Sequence, residues 1–270
     1  MQLKEKVIIV TGGGNGIGRA LTLRLAKEEG ACVAALDMNK EVLKETWEMA
    51  GQHRDQISLH VVDVSDRRAV ETLPEEILKA NGHVDGLINN AGIIQPFVRV
   101  SDLEYEAIER VLNYNFYGQI YMTKAFLPLL LAQPEAHIVN VSSMGGFFPV
   151  PGQIIYGASK AAVKLLTEGL YAELIGTNVQ VTVVFPGAVA TNIAQNSGVV
   201  MELGKDGETP DHIPMVLPDV AAETIIKGMK RNKFQVYIGQ DSRMMNILYR
   251  LNPRWATNFM FKQMKDLLPD

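Results

Sequence analysis

The sequence predicts an α/β fold: a doubly wound parallel sheet of about seven strands, helices on both faces, and a helical C-terminal extension. Three observations lead there. Apolar, β-branched runs recur at Val7–Val10, Cys32–Leu36, Ile57–Val62, Val84–Ile88, His137–Val141, Val179–Phe185 and Gln235–Ile238, at intervals too long for hairpins. Each run is nearly continuous in hydrophobicity rather than alternating, as a strand covered on both faces must be. Segments of helical period, such as Gly16–Glu29 and Asn39–Gln52, lie between them. Alternation of this kind builds right-handed βαβ crossovers on one parallel sheet.

Composition supports a self-sufficient core. The chain has 270 residues, 47% hydrophobic and 21% charged, which excludes disordered, collagenous and coiled-coil classes. A net charge of −4 leaves no electrostatic footprint for nucleic acid. Cys32 is the single cysteine, so no internal disulfide can form. The first residues run directly into strand-like Val7–Val10 without the basic and apolar segments of a signal peptide. The longest apolar runs, such as Phe126 to Ala132, fall short of the ~18 residues a spanning helix needs. The sequon Asn140-Val141-Ser142 lies inside a strand-like run. A soluble, cytoplasmic protein is expected. Residues 1–240 show no linker and read as one domain. Within it, residues 188–217 lack a clear period and read as a lid, while 241–270 stand apart as an amphipathic extension.

The first strand is followed by Thr11-Gly12-Gly13-Gly14-Asn15-Gly16-Ile17-Gly18 and then by a helix. Glycines there let the backbone turn tightly and approach a pyrophosphate, whose charge meets the helix N-terminus. A nucleotide triphosphate loop has similar spacing, but Arg19 and Ala20 stand where Lys and Ser/Thr are required. The second strand ends in Asp37, 19 residues past Gly18. A carboxylate in that place accepts hydrogen bonds from ribose hydroxyls and repels a 2′-phosphate, which selects NAD. Asp63, in Asp63-Val64-Ser65 after the third strand, reads either as an adenine contact or as a capping carboxylate.

Tyr156-Gly157-Ala158-Ser159-Lys160 opens a helix running to about Ile175. Positions i and i+4 share a face, so the Lys160 ammonium can stand near the Tyr156 phenol and lower its pKa. Ser143, 13 residues upstream, falls at the carboxyl edge of the fifth strand, where open sheets bind ligands. Its hydroxyl can polarise a carbonyl or hold an alcohol. It is not a hydrolase elbow, since Val141 stands where glycine is needed. Asn115 lies in the apolar stretch Tyr114–Leu131, read as one helix in which Asn marks a local bend. The five histidines lack zinc-ligand spacing, so no metal is expected.

These motifs together resemble the short-chain dehydrogenase/reductase family, a Rossmann-like fold, over residues 5 to about 240. The resemblance rests on Thr11-Gly12-x-x-x-Gly16-x-Gly18, Asn89-Asn90-Ala91-Gly92, Asn115, Ser143, Tyr156-x-x-x-Lys160 and Pro186-Gly187 with Thr191, in the family's order and spacing. It implies hydride transfer between NAD(H) and an alcohol or ketone, with Asn115, Ser143, Tyr156 and Lys160 catalytic. Tyr156 is then the proton donor or acceptor, Lys160 lowers its pKa and holds the nicotinamide ribose, and Asn115 supports a relay water. The implied cofactor contacts are Gly12, Asn15, Gly16, Ile17, Gly18, Asp37, Asp63, Val64, Asn89, Ala91, Gly92, Tyr156, Lys160, Pro186, Gly187, Val189 and Thr191. An isomerase or dehydratase of a related branch, or a cofactor-sensing protein, is the alternative.

The apolar loop Met144–Val150 and the lid residues Val199, Val200, Met201, Ile213, Met215 and Val216 favour a hydrophobic substrate (steroid-, lipid- or aromatic-like). Tyr114–Leu131 is apolar on more than one face, which implies a homotetramer or homodimer. The extension 241–270 carries net charge +2 against −6 for the rest, and clusters Met244, Met245, Ile247, Leu248, Leu251, Trp255, Phe259, Met260, Phe261 and Met264. It is expected to pack on protein, burying its aromatics, with contact at a membrane surface as the alternative.

Overall fold

The computed structural model describes residues 1–199 and 215–264. Its strands are β1 (Val7–Thr11), β2 (Cys32–Asp37), β3 (Ile57–Val61), β4 (Gly86–Asn89), β5 (Ala136–Val141), β6 (Val179–Pro186) and β7 (Gln235–Ile238). They form one parallel sheet in the order β3-β2-β1-β4-β5-β6-β7. The order reverses between β1 and β4, and a crevice opens there at the carboxyl ends of the strands.

Helices α1 (Gly16–Lys27), α2 (Lys40–Met49), α3 (Arg67–Asn81), α4 (Tyr105–Leu112), α5 (Gly118–Leu131), α6 (Ile154–Glu173), α7 (Ile193–Asn196), α8 (Pro218–Lys230), α9 (Gln240–Leu251) and α10 (Pro253–Met264) complete the chain. The two-residue period of a strand splits β1 between two cores. Ile8 and Val10 pack with Leu21 and Leu25 of α1, Leu43 of α2 and Ile225 of α8. Ile9 packs with Leu73 and Ile77 of α3, Phe126 of α5 and Leu170 of α6. Both faces of the central strands are therefore dry, which is why those strands read as unbroken apolar runs.

Local signals set several boundaries. Asn15 caps α1, its side chain accepting from Gly16 N at 2.7 Å. Asn39 and Asp66 cap α2 and α3 in the same manner. Gly82 ends α3 with φ +84°, a conformation that a side chain would strain.

The expected helix Tyr114–Leu131 begins earlier and is not uniform. Tyr105–Leu112 is α-helical, Asn113–Tyr117 forms a π turn, and α5 follows. The apolar count missed α4 because its outer face is charged, with Glu106, Glu109 and Arg110. Of the expected lid, residues 200–214 lie outside the described residues; Val189 and Val216 on either side pair as a parallel bridge. The same holds for Lys265, Asp266 and Asp270 of the extension. No described helix is long and apolar enough to cross a membrane.

Candidate active site

The turn from β1 into α1 is packed so tightly that only glycine fits. Gly12 and Gly16 take φ of +66° and +51°, the left-handed region. A Cβ at Gly18 would sit 1.9 Å from Gly12 O, and one at Gly14 would sit 2.4 Å from Val42 Cγ2. These are cradle glycines, and the α1 N-terminus behind them favours negative charge.

Asp37 closes this end. Its Oδ2 accepts from Gly14 N at 3.2 Å and its Oδ1 from Asn39 N at 3.1 Å. Burial nonetheless lifts its carboxyl above the ordinary value, against the pull of those amides and of Arg19. Arg19 is committed elsewhere: Nε donates to Gly14 O at 2.8 Å and the guanidinium pairs with Glu45 at 2.8 Å.

At the other end stand Ser143, Tyr156 and Lys160. The Lys160 ammonium is buried and donates to Val141 O at 3.0 Å. Burial pushes its pKa down to about 8. Burial also raises the Tyr156 phenol, and the neighbouring Ser143 hydroxyl pulls the other way. Spacing predicts that Lys160 lowers the phenol; the ammonium instead lies 5.9 Å from the ring centroid and faces a carbonyl, so burial dominates. Ser143 Oγ also accepts from Gly145 N at 3.0 Å, which fixes the turn after β5.

Between the two ends, Thr11 Oγ1 accepts from Asn90 N and Ala91 N, both at 3.0 Å, locking β1 to the segment after β4. A Cβ at Gly92 would lie 3.0 Å from Lys160 Nζ and 3.5 Å from Asn115 Oδ1. Gly92 therefore lets these two side chains approach one another. Asn115, fully buried in the π turn, accepts from Ile93 N at 2.8 Å and donates to Ile93 O at 2.9 Å and Ser159 Oγ at 3.1 Å. It ties the segment after β4 to the helix of Tyr156.

These groups line one cleft of about 600 Å³, within the ~300–1,000 Å³ usual for small-molecule sites. Gly12, Asn15, Gly16, Ile17, Asp37, Ala91, Gly92, Ser143, Tyr156, Lys160, Pro186, Gly187, Val189 and Thr191 all face it. Gly18 and Asn115 lie behind its wall, against Gly12 and Ile93. Asn89 is buried in β4, donating to Asn140 and Thr123. Asp63 Oδ1 accepts from Ser65 N and Ser65 Oγ at 2.8 and 2.7 Å, and Val64 packs at Gly118.

Other residues escaped the sequence reading. Ile93, Ile94 and Ile193 form apolar wall, and Tyr114 borders the middle. Ile93 and Ile94 directly follow the Asn89–Gly92 motif, at the carboxyl edge where the strand order reverses, and that position was the available signal. Phe147 and Phe148, expected at the substrate, turn into protein instead. Phe147 packs edge-on to Phe185 at 5.4 Å, and Phe148 is fully buried against Met245, Ala256 and Met260. Gln95 left no local signal. Its Oε1 accepts from Ile155 N and Tyr156 N at 2.8 and 3.1 Å, capping the helix that presents the phenol.

The extension also reaches the site. Asp241 Oδ2 accepts from Ala188 N at 2.9 Å, and a Cβ at Gly187 would collide with that carboxylate at 2.2 Å. Ser242 Oγ donates to Phe185 O at 2.8 Å.

A family profile described as short chain dehydrogenase matches residues 6–199. SadH of Mycobacterium tuberculosis, named an oxidoreductase, is 36% identical over 91% of this chain and 90% of its own. The 3-oxoacyl-[acyl-carrier-protein] reductase FabG of Thermotoga maritima is 36% identical over 72% of this chain and 78% of its own. Among solved structures, a short-chain dehydrogenase/reductase of Burkholderia phymatum in complex with NAD superposes with TM-score 0.79 at 25% identity, covering 88% of this chain and 90% of that one. A short-chain dehydrogenase of Burkholderia cenocepacia in complex with NADP gives 0.80 at 25% identity, covering 96% and 99%.

Proposed function

The chain belongs to the short-chain dehydrogenase/reductase family of oxidoreductases, and from that premise we propose that it interconverts a hydrophobic secondary alcohol and its ketone with NAD(H). The observation that carries this reading is the convergence of Ser143, Tyr156 and Lys160 in the same cleft as the glycine cradle and Asp37.

The residues fit a dinucleotide. Gly12 and Gly16 present bare backbone to the cleft, and the helix N-terminus suits a pyrophosphate. Gly12, Asn15, Gly16 and Ile17 would hold it, and Gly18 would let α1 close onto Gly12 behind them. Asp37 would accept from the ribose hydroxyls, and Ala91, Gly92, Pro186, Gly187, Val189 and Thr191 would border the nicotinamide half. Asp63, Val64 and Asn89 do not line the cleft, and a part in cofactor binding would be indirect, through the turn after β3 and the core of β4. Asp37 favours NAD over NADP, because Arg19 is already bonded to Gly14 O and Glu45. When bound, the nicotinamide supplies or accepts the hydride.

The chain supplies the proton and the orientation. Ser143 Oγ holds the substrate oxygen. Tyr156 gives its proton to that oxygen in reduction and takes it in oxidation. A phenol raised by burial stays protonated at neutral pH, so the proton that reduction needs is in place. Lys160, charged below a pKa of about 8, offsets the phenolate as it forms. Asn115 positions the segment after β4 and the catalytic helix, and beside Lys160 it would support a proton relay through water. The walls Ile93, Ile94, Val189 and Ile193 favour an apolar substrate.

Residues 1–240 form the catalytic domain and 241–270 an accessory amphipathic extension, helical over Gln240–Leu251 and Pro253–Met264. The catalytic domain works in the cytoplasm as a homo-oligomer. Leu165, 69% exposed on α6, and Tyr117 and Leu131 at the ends of α5 support pairing through these helices. The reading is tested by following reduced-nicotinamide absorbance with a panel of apolar ketones and alcohols. Turnover with NADH is expected, and Tyr156→Phe should lower kcat by on the order of 10²-fold or more while NADH still binds. A Tyr156→Phe enzyme as fast as wild type refutes the assignment.

A further inference from the structure

The extension turns one face into the protein and leaves the other face open. Inward, Met245 of α9 and Ala256 and Met260 of α10 bury against Phe148. Outward on α9, Met244, Ile247 and Leu251 are 51%, 58% and 77% exposed. A period of 3.6 residues places them on one stripe with Arg243 and Arg250 along its edge. The outward face of α10 repeats the composition. Trp255 and Phe261, each 51% exposed, share it with Arg254 and Lys262. Trp255 stacks on Phe259 with 5.6 Å between centroids, so its orientation is held. The stretch from Ser242 to Met264 contains four cations and no carboxylate.

A helix face turned to water carries charges of both signs and few large apolar groups. This pair of faces carries one sign only, with five large apolar side chains. The extension is expected to bury its aromatics on protein: Tyr249 and Phe259 do pack on the inward cluster around Phe148, while Trp255 and Phe261 stay outside on this chain.

We propose that the outward face of α9 and α10 lies on an anionic lipid bilayer. The apolar stripe would enter the headgroup boundary, where the amphipathic indole also sits well. Arg243, Arg250, Arg254 and Lys262 would meet lipid phosphates. A second copy of the chain suits the face less. A two-fold contact sets like patches against each other, and these cations would meet their own copies without a carboxylate between them.

The surface is coupled to the cleft. Asp241 and Ser242 at the start of α9 hold Ala188 and Phe185, and Phe148 follows the turn that carries Ser143. On the reading above of an apolar substrate, on which this step rests, the bilayer delivers that substrate to the adjoining cleft. The binding itself does not depend on that reading.

Full-length protein is sedimented with vesicles of phosphatidylcholine alone and with vesicles containing about one-third phosphatidylglycerol. Binding to the anionic vesicles is expected to be at least about tenfold stronger and to weaken with salt. The variants I247S/L251S/W255S and R243Q/R250Q/R254Q, checked for an unchanged thermal midpoint, should each lose about tenfold. Equal binding to both vesicle types, or variants that bind like wild type, overturns the proposal. So does light scattering in which I247S/L251S/W255S dissociates an oligomer, since the occupant is then a second copy. Vesicle binding without turnover of any ketone sinks the oxidoreductase reading and leaves the membrane face standing.

Discussion

Two buried charges sit near opposite ends of the sheet, and the protein treats them differently. Asp85, 1% exposed just before β4, is fully answered: Lys6 Nζ, Val7 N and His83 Nε2 all lie 2.9 Å from its oxygens. Lys160, 3% exposed at the carboxyl end, is given a single carbonyl, and burial alone lowers its pKa to about 8. A buried charge with partners holds structure together. A buried charge left short of partners costs stability and is kept where chemistry needs a movable proton or an unspent cation.

The strongest way to break this contrast is to remove the unanswered charge. Lys160→Met should lower kcat/KM by on the order of 10³-fold, since the phenol loses its supporting cation. Stability should move the opposite way. The lysine titrates near 10.5 unfolded and about 8 folded, so the unfolded state holds more protons between those values. The cost of burying the charge is full below pH 8 and fades as pH rises toward 10.5. The shift corresponds to about 3 kcal/mol, less about 1 for the lost bond to Val141 O. Ligand-free Lys160→Met should therefore melt a few degrees higher at pH 7, with the advantage shrinking above pH 8. A variant that melts lower at pH 7 would mean that Lys160 is structural.

Asp85→Ala probes the other pole and should show the mirror image. Val7 N loses its buried acceptor, while Lys6 and His83 can turn to water because both are partly exposed. A loss of about 2–3 kcal/mol is expected, below the ~3–5 for a fully buried pair. Urea unfolding should report that loss while kcat/KM changes less than about twofold.

What the sequence revealed follows the range of the interactions involved. The central strands were legible because both their faces are dry, and the tight turn of Gly12–Gly18 was legible because glycine alone tolerates it. Tyr156 and Lys160 could be paired because four residues make one helical turn. The state of Lys160 could not be read, since its environment is assembled by Val141, Gly92 and Asn115 from three other segments. Gln95 caps the Tyr156 helix from 61 residues away, beyond any local pattern. The direction of Phe148 depended on α9 and α10, whose inward and outward faces a list of apolar residues does not distinguish.

A third buried group sharpens the comparison on the pH axis. His137 in β5 is wholly buried, with Nε2 2.8 Å from Thr182 Oγ1. Thr182 donates its own proton to Lys233 O, so His137 is the donor of that pair. Burial lowers its pKa to about 3, against 6.5 unfolded. A depressed folded value means stability is present above pH 6.5 and is lost as pH falls toward 3. At pH 5 the loss is about 2 kcal/mol, and His137→Val should flatten that slope in urea midpoints measured from pH 7 to pH 4. An unchanged slope would place acid sensitivity elsewhere.

Asp37 stands between the two poles and yields the smallest expected effect. Like Asp85 it sits near a strand terminus, but half-buried, and it receives only backbone amides, from Gly14 and Asn39; its carboxyl is raised rather than quieted. Its remaining lone pairs face the cleft, where ribose hydroxyls would complete the set that Lys6 and His83 complete for Asp85. Asp37→Ala should therefore cost little stability, because the amides can turn to water at the open cleft. It should instead admit a 2′-phosphate. The ratio of kcat/KM for NADH over NADPH is expected to fall about tenfold, equivalent to about 1.4 kcal/mol, through loss of repulsion and of the ribose contacts. Arg19 limits the gain, since its guanidinium stays bonded to Gly14 O and Glu45. Adding Glu45→Gln would release it, and the double variant should favour NADPH further than Asp37→Ala alone. If Asp37→Ala leaves the ratio unchanged, cofactor choice rests on Arg19 and the residues that follow β2, and the carboxylate belongs with Asp85 as structure.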